Sequence, residues 1–512
     1  MNPVFLLLII LLPIFFSTIL LFRKPRKPSI NGGSTTVTFK DLLKNGHRFL
    51  DWTTELLLSS SIHTITMPST VITSTPSNVQ HILKAHFPNY PKGPSNISVL
   101  HDLLADGIFN ADGDHWILQR KTASHHFNTN SIRSFLTTTL QFQTTTHLLP
   151  ILSAAAVSGD ALDLQDTLER FSFDNVCKLA FNVDPSLLAG DSVEGARFAR
   201  AFKTAVAVSV NRFAQPRFLW RLRRLLNLGD ERKLKEAMKI VNEFATRVVE
   251  ERMMKGKAGG GDDLLSKFIQ DDNANNSDQL LRDIIISFVL AGRDSTSSAL
   301  TWFFWVVSSR PEIRRAIRDE ISSVRAKHGS EPGQAFKLEE LREMEYLHAA
   351  LSESLRLHPP VALNPRACLE DDTLPDGTRV KKGWSVMYST YAMGRMKSIW
   401  GEDCMEFRPE RMKSIWGEDC MEFRPERWVV DGVFQPRSPY EFPVFHAGPR
   451  MCLGKEMAYV QMKAVAASVL ERFEVEVAPG KEKERVHVYT IVLRMKGGLP
   501  VLIKNRDLSS SE

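Results

Sequence analysis

The feature that most constrains this chain is one ten-residue stretch, Phe445-His446-Ala447-Gly448-Pro449-Arg450-Met451-Cys452-Leu453-Gly454. Its cysteine opens a segment, about Leu453–Phe473, whose apolar spacing predicts a helix. A helix N-terminus presents unpaired N–H groups and a positive potential, and both favour a thiolate over a thiol. Gly448 permits a tight turn that aims backbone donors at the sulfur. Cys452 is therefore a candidate thiolate at a helix mouth, where the alternative is a buried cysteine beside chance glycines.

The other cysteines sharpen that reading. The five are Cys177, Cys368, Cys404, Cys420 and Cys452. They are odd in number and lack CxxC spacing, which argues against a disulfide framework or a cysteine zinc site and for a reducing compartment. Cys177 and Cys368 read as small buried apolar residues. The histidines, His125-His126 and His446 among them, show no metal-ligand spacing.

Three further patterns carry charge or hydroxyls at helical spacing. Glu353-Ser354-Leu355-Arg356 places opposite charges at i and i+3 on one helix face, and Pro359-Pro360 ends that helix. Ala291-Gly292-Arg293-Asp294-Ser295-Thr296 lies inside a predicted helix over Asp278–Ser309, on the order of 45 Å long and able to cross a whole domain. Trp116 and Arg120 share a helix face at i, i+4.

Together these patterns resemble the cytochrome P450 family over roughly residues 35–505. The decapeptide matches that family's FxxGxRxCxG haem loop in full. Glu353 and Arg356 match its ExxR, residues 291–296 its (A/G)Gx(D/E)T(T/S), and Trp116 with Arg120 its WxxxR. The resemblance implies haem b with Cys452 as the axial thiolate, a ligand that pushes electron density onto iron and favours O–O cleavage. It implies that Phe445 shields the sulfur and that Gly454 lets the helix approach the porphyrin. Arg450, Trp116, Arg120 and Arg366 would serve the haem propionates. Ala291 and Gly292 would open a groove for dioxygen. Asp294 with Ser295 would relay protons, with Thr296 as a second hydroxyl. The usual threonine is here Ser295, whose missing β-methyl leaves its rotamer less fixed, with leakage to peroxide the expected cost. The resemblance adds an arginine that braces Glu353 and Arg356. Arg411 and Arg427 both follow Pro-Glu, and Arg427 is favoured because it has a family-like separation from Cys452.

Closer likeness is to the plant fatty-acid ω-hydroxylase clan, including jasmonate-conjugate hydroxylases. It rests on Asn89-Tyr90-Pro91-Lys92-Gly93, Gly107-Ile108-Phe109-Asn110, Asp112-Gly113, Leu374-Pro375-Asp376-Gly377-Thr378 and Tyr391-Ala392-Met393-Gly394-Arg395-Met396. The implied activity is hydroxylation of the terminal (ω) or near-terminal carbon of a fatty acid or related lipid. Jasmonoyl-isoleucine and a sterol side chain are alternatives. A haem-thiolate isomerase or dehydratase is a second enzyme reading, and an inactive product of the repeat described below is a third. Residues Val361–Arg366 depart from the clan's pattern and are expected to line the substrate pocket. No flavin or nicotinamide motif is present, so the resemblance implies O2 as co-substrate and electrons from NADPH-cytochrome P450 reductase, with cytochrome b5 as a further donor. No nucleic acid partner is expected.

The ends and the interior set the organisation. Val4–Phe22 is an uncharged apolar run, long enough to span a bilayer as a helix. Arg23, Lys24, Arg26 and Lys27 follow it and hold that side in the cytoplasm. Residues 1–28 therefore read as a retained anchor with a basic stop, giving a single-pass protein of the endoplasmic reticulum whose catalytic domain, 29–512, faces the cytosol. The predicted class is mainly α with a smaller β region (α+β). Residues 29–60 read as a polar lead-in, about 115–355 as helical, and 61–90, 370–400 and 474–503 as short strands and turns. Residues 395–410, RMKSIWGEDCMEFRPE, recur unchanged at 411–426. Two copies are too few for a solenoid. They read as a tandem 16-residue duplication in a surface stretch, where added loop length costs little.

Overall fold

A computed structural model describes residues 35–190, 192–254, 263–270, 277–401, 423–480 and 486–506. The anchor and basic stop, the glycine-rich stretch 255–262, Arg411, Cys404 and Cys420 lie outside the described residues. Among the described residues no helix is long and apolar enough to cross a membrane.

Nine helices position the site. They are α1 (Phe49–Ser59), α2 (Gly113–Ser124), α3 (Leu164–Phe181), α4 (Val193–Asn211), α5 (Asp230–Met254), α6, α7 (Pro311–His328), α8 (Glu345–Leu357) and α9 (Lys455–Arg472). The long helix α6 is built from Asp278–Val289, a π turn over Leu290–Asp294, and Ser295–Ser308, which run on without a break. Its start is set by Ser277, whose hydroxyl accepts from the Leu280 N–H at 3.2 Å. Both α6 and α9 are buried on nearly every side, which is why their sequences lack a polar face. Helix α3 is capped by Asp163 and ends at Asn182 in the left-handed region, φ 53°.

Helices dominate and the β region is small, as expected. The strands used below are β1 (Thr35–Thr36), β2 (Thr64–Met67), β3 (Thr70–Thr73), β4 (Leu162–Asp163), β5 (Leu363–Ala367), β6 (Ser385–Ser389), β7 (Phe473–Val477), β8 (His487–Tyr489), β9 (Leu493–Met495) and β10 (Pro500–Asn505), beside two short hairpins, Asp372–Thr373 with Arg379–Val380 and Val429–Val430 with Val433–Phe434. One sheet has the order β1-β2-β3-β6-β5 and another β7-β10-β4. In the first, Ile65 pairs with Ile72, Val71 with Val386 and Arg366 with Val386. That last register sets Arg366 on the edge strand opposite Val386, where it is 1% exposed.

Three boundaries differ from the sequence reading. The lead-in is not simply polar: Thr38 and Asp41 form a capping box for a helix over Phe39–Asn45, and α1 buries Leu50, Trp52 and Leu57. The helix after Cys452 begins at Lys455, because Leu453 and Gly454 are used in the turn that precedes it. The α6 helix carries a π turn that its apolar periodicity does not announce.

Two apolar cores meet along α6. One gathers α3, α4, α5 and the first half of α6 around Phe173, Phe198 and Phe244. The other gathers the second half of α6 with α7, α8 and α9. The candidate site lies between them, where α6 faces the turn ahead of α9.

Candidate functional site: a cysteine, four cations and a long cavity

The α8 helix carries the first part of the site. It stops at Leu357 because a residue before proline avoids helical backbone. Arg356 Nε and Nη2 donate to the two oxygens of Glu353 at 2.8 and 2.7 Å, and its Nη1 donates to the Gly394 carbonyl. A Cβ at Gly394 would lie 2.0 Å from the Arg356 carbonyl oxygen, so only glycine fits there. Arg427 Nε donates to Glu353 at 3.2 Å and its Nη1 to the Trp400 carbonyl at 3.3 Å. The Trp428 indole and the Arg424 N–H donate to the same carboxylate at 2.9 and 3.1 Å. Burial pushes the Glu353 carboxyl up. The charge and donors of Arg356, with Trp428 and Arg424, outweigh it and hold the group below the ordinary carboxylate range. Sequence reasoning named Glu353, Arg356 and Arg427, but missed Arg424 and the Trp428 donor.

The duplicated stretch contributes from both copies. Arg395 to Gly401 come from the first and Phe423 to Glu426 from the second. Arg395 is buried over the Tyr391 ring, and Trp400 packs on Trp428 with centroids 5.2 Å apart. Between them the described residues supply one start and one end of the repeated unit.

The cysteine loop is a succession of tight turns. The Cys452 N–H donates to the Phe445 carbonyl at 2.8 Å and the Met451 N–H to the Gly448 carbonyl at 3.0 Å. Gly448 has φ +65°, and a Cβ there would sit 2.0 Å from the Leu83 carbonyl oxygen. Its glycine is thus required twice, by conformation and by close approach. His446, at φ 59°, is fixed by a 2.8 Å contact between its Nδ1 and the Tyr388 hydroxyl. Cys452 is deep in the molecule yet has accessible surface, because that surface opens onto the cavity. Burial pushes its thiol up, while the Gly454 N–H, Arg120 and Lys455 pull it down. Phe445 lines the same cavity and leans on Tyr459, centroids 5.3 Å apart. Gly454 would bring a Cβ only to ordinary contact with Phe127 at 3.4 Å.

Four cations converge on the cavity beside this loop: Lys92, Arg120, Arg366 and Arg450. Arg120 donates to the Met451 carbonyl at 2.7 Å. Arg450 pairs with Asp112 at 2.7 Å and lies over the Trp116 ring at 4.3 Å. Trp116 therefore supports the cations with its face. Arg366 Nη1 donates only to its neighbour's carbonyl, Pro365 O, at 3.0 Å. Burial, then Arg366, lowers Arg450 to about 10, against the pull of Asp112. Burial, then Arg366 and Arg450, takes Lys92 well below its usual value. Burial and all four cations lower His446 to about 3. Among the described residues the buried Nε atoms of Arg366 and Arg450 find no hydrogen-bond partner. Four cations against one carboxylate, with two unused guanidinium donors, fit a dianionic ligand such as a group bearing two propionates. Lys92 and Asp112 belong to this set although neither motif nor spacing marked their role.

Across the cavity stands the π turn of α6. Ala291, Gly292, Ser295, Thr296 and Ala299 line the cavity. Ser295 Oγ donates to the Ala291 carbonyl at 2.5 Å. The surroundings of two of these residues add to the sequence reading. A Cβ at Gly292 would meet Val176 at 2.4 Å, so this glycine answers to packing against α3 as well as to the cavity. Asp294 does not meet Ser295. It is 5% exposed and absent from the cavity wall, its Oδ1 3.4 Å from Arg293, which in turn faces Glu169 at 3.6 Å. Adjacent residues on a helix diverge by about 100°, and the acid is the one turned toward the cations behind the helix.

The cavity holds about 1910 Å³. It runs from Cys452 and the cations past α6 to Phe49, Val361, Leu363 and Ile491, so the segment after the double proline does line it. This exceeds an ordinary small-molecule pocket and leaves room for a large planar group plus an elongated apolar molecule.

Comparison with known proteins agrees with this geometry. The family model described as Cytochrome P450 matches residues 61–499. The chain is 54% identical over 490 residues to cytochrome P450 CYP94D108 of Paris polyphylla, covering 95% of this chain and 94% of that one. It is 40% identical over 475 residues to cytochrome P450 94A1 of Vicia sativa, covering 91% and 88%. It is 43% identical over 462 residues to cytochrome P450 94C1 of Arabidopsis thaliana, covering 89% of each. The chain thus belongs to the cytochrome P450 family, as a haem-thiolate monooxygenase similar to the plant CYP94 proteins.

Proposed function

We propose that this monooxygenase hydroxylates the terminal or near-terminal carbon of a fatty acid or a related amphipathic lipid. The observation that carries the reading is the cavity: about 1910 Å³, with Phe109, Phe213, Phe288, Val361 and Ile491 in its wall, apolar side chains that suit the hydrocarbon chain of a lipid. Bound haem supplies the dioxygen chemistry, its iron held by a thiolate that favours O–O cleavage. The residues do the rest. Cys452 is offered to the iron by the turns that begin at Phe445. Lys92, Arg120, Arg366 and Arg450 hold the carboxylates. Glu353, Arg356 and Arg427 brace the wall behind the cysteine loop. Ser295 Oγ, once released from the Ala291 carbonyl, and the Thr296 hydroxyl hold a proton on the α6 side.

Electrons come from a reductase, and we assign that role to NADPH-cytochrome P450 reductase, with cytochrome b5 as a second donor. We place the protein in the endoplasmic reticulum membrane by residues 1–28, catalytic domain toward the cytosol. The helix Arg217–Leu225 supports a membrane-facing surface: Phe218 and Leu225 are 65% and 81% exposed beside Arg221, Arg223 and Arg224.

The test is a binding screen with fatty acids of increasing chain length, jasmonoyl-isoleucine and a sterol. The expected result is a substrate-type Soret shift with a fatty acid, and a product oxidised at or next to its terminal carbon when NADPH and reductase are added. A shift confined to jasmonoyl-isoleucine or the sterol overturns the fatty-acid reading. Turnover without NADPH overturns the monooxygenase step.

A further inference from the structure

A second cluster of ligand-type side chains lies outside the cavity. A π turn over His81–Ala85 closes with the His86 N–H donating to the His81 carbonyl at 2.8 Å. On an α-helix, residues five apart are separated by roughly 140° of rotation. The wider turn removes most of that angle and brings the two imidazoles together, centroids 4.0 Å apart and planes tilted by 32°. His81 Nε2 and His86 Nδ1 then lie 2.9 and 3.1 Å from one oxygen, Oδ2 of Asp372. The Tyr90 hydroxyl donates to that same oxygen at 2.8 Å, and the Thr373 N–H to the other carboxylate oxygen at 2.8 Å. The three ligand atoms all lie within 4.8 Å of one another, the one such group of three among the described residues.

We propose that His81, His86 and Asp372 form a binding site for a divalent cation of the zinc class. Two imidazoles and a carboxylate are the donor set that favours zinc, copper or nickel over calcium or magnesium. Tetrahedral zinc with bonds near 2.0–2.2 Å sets its ligand atoms about 3.3 Å apart, within a few tenths of an ångström of both contacts to Asp372. Water completes the fourth position. Tyr90 and Thr373 orient the carboxylate, as outer partners do in metal sites. The His86 side chain is 51% exposed while His81 and Asp372 are 13% and 12% exposed. An ion can therefore enter past His86 onto two anchored donors. The spacing His81–His86 looks unsuited to a metal on a regular helix, so the sequence hid this site and the π turn made it. Its effect on the enzyme is mechanical: the cation ties the π turn to the hairpin in which Asp372–Thr373 pairs with Arg379–Val380, and the Leu83 carbonyl of that turn abuts Gly448 of the cysteine loop.

The experiment uses the untagged, haem-loaded full chain, stripped with a chelator and titrated with Zn²⁺ against a fluorescent zinc indicator. His86→Ala and Asp372→Asn are run alongside. The expected result is one zinc per wild-type chain, affinity about 100-fold or more weaker in each variant, and an unchanged CO-difference spectrum. Zinc should also raise the melting temperature of the wild type and not of the variants. No retained zinc in the wild type overturns the proposal. So does equal binding by His86→Ala, which would locate the ion elsewhere. Should Asp372→Asn fail to load haem, the half-exposed His86 variant decides alone.

Discussion

At the scale of single residues, the buried carboxylate Glu353 decides more than its motif suggests. It has two guanidinium groups, an indole and a backbone N–H on two oxygens, and no solvent. Glu353→Gln keeps the shape but leaves buried cations without their counter-charge. Breaking a buried pair from one side costs about 3–5 kcal/mol. We expect a urea midpoint lowered accordingly, with loss of haem at a lower denaturant concentration. Because the folded-state carboxyl is held below its ordinary value, its contribution is present above the unfolded pKa. It is lost as pH falls through the folded one. Acid release of haem should therefore begin below the normal carboxylate range, and Glu353→Gln should flatten that part of the pH profile. Ser295 invites the opposite kind of change. Ser295→Thr restores a β-methyl that restricts χ1 without removing the hydroxyl. It should lower the peroxide formed per NADPH consumed at unchanged substrate affinity, and an equal or larger peroxide leak would remove Ser295 from the proton path.

At the scale of elements, the cysteine loop was legible and its reasons were only half so. The glycine at 448 was expected for its turn, yet the closer constraint is the Leu83 carbonyl from a π turn far away in sequence. Both objections to a side chain there come from backbone, which cannot step aside. Strained positive φ alone costs about 1–3 kcal/mol. Gly448→Ala should accordingly give protein with most of its thiolate-type CO band missing at normal expression. A full band would mean the loop is softer than its contacts imply. The α6 helix teaches a similar lesson. Its length and apolar faces were readable from periodicity. The π turn at Leu290–Asp294 was not, nor was the packing that sets Ser295 on the cavity wall and Asp294 beside Arg293.

At the scale of the whole molecule, the duplicated stretch poses the sharpest question about this chain. The described core takes the start of the unit from the first copy and its end from the second. The Trp428 indole sets Arg427 apart: Arg411 is followed by Met412, whose side chain has no N–H to donate. Removing residues 402–417 leaves one complete unit between Met393 and Trp428. The connection from Gly401 to Phe423 then shortens from 21 residues to 5. Loop-closure entropy alone makes that shorter chain more stable by about 1 kcal/mol. We expect it to load haem at least as well as the full chain and to melt no lower. A deletion that fails to bind haem would show that the sixteen added residues support the core. By itself, the sequence determined the helix-rich class, the thiolate loop, the Glu353–Arg356 pair and the family, because each rests on residue types at short, fixed spacing. Only the tertiary structure decided how cations distant in sequence, Lys92, Arg120, Arg366 and Arg450, gather around one cavity, and which side of α6 each polar group faces. Those outcomes depend on sheet register and on π turns, which follow from long-range packing and leave no periodic trace in the chain.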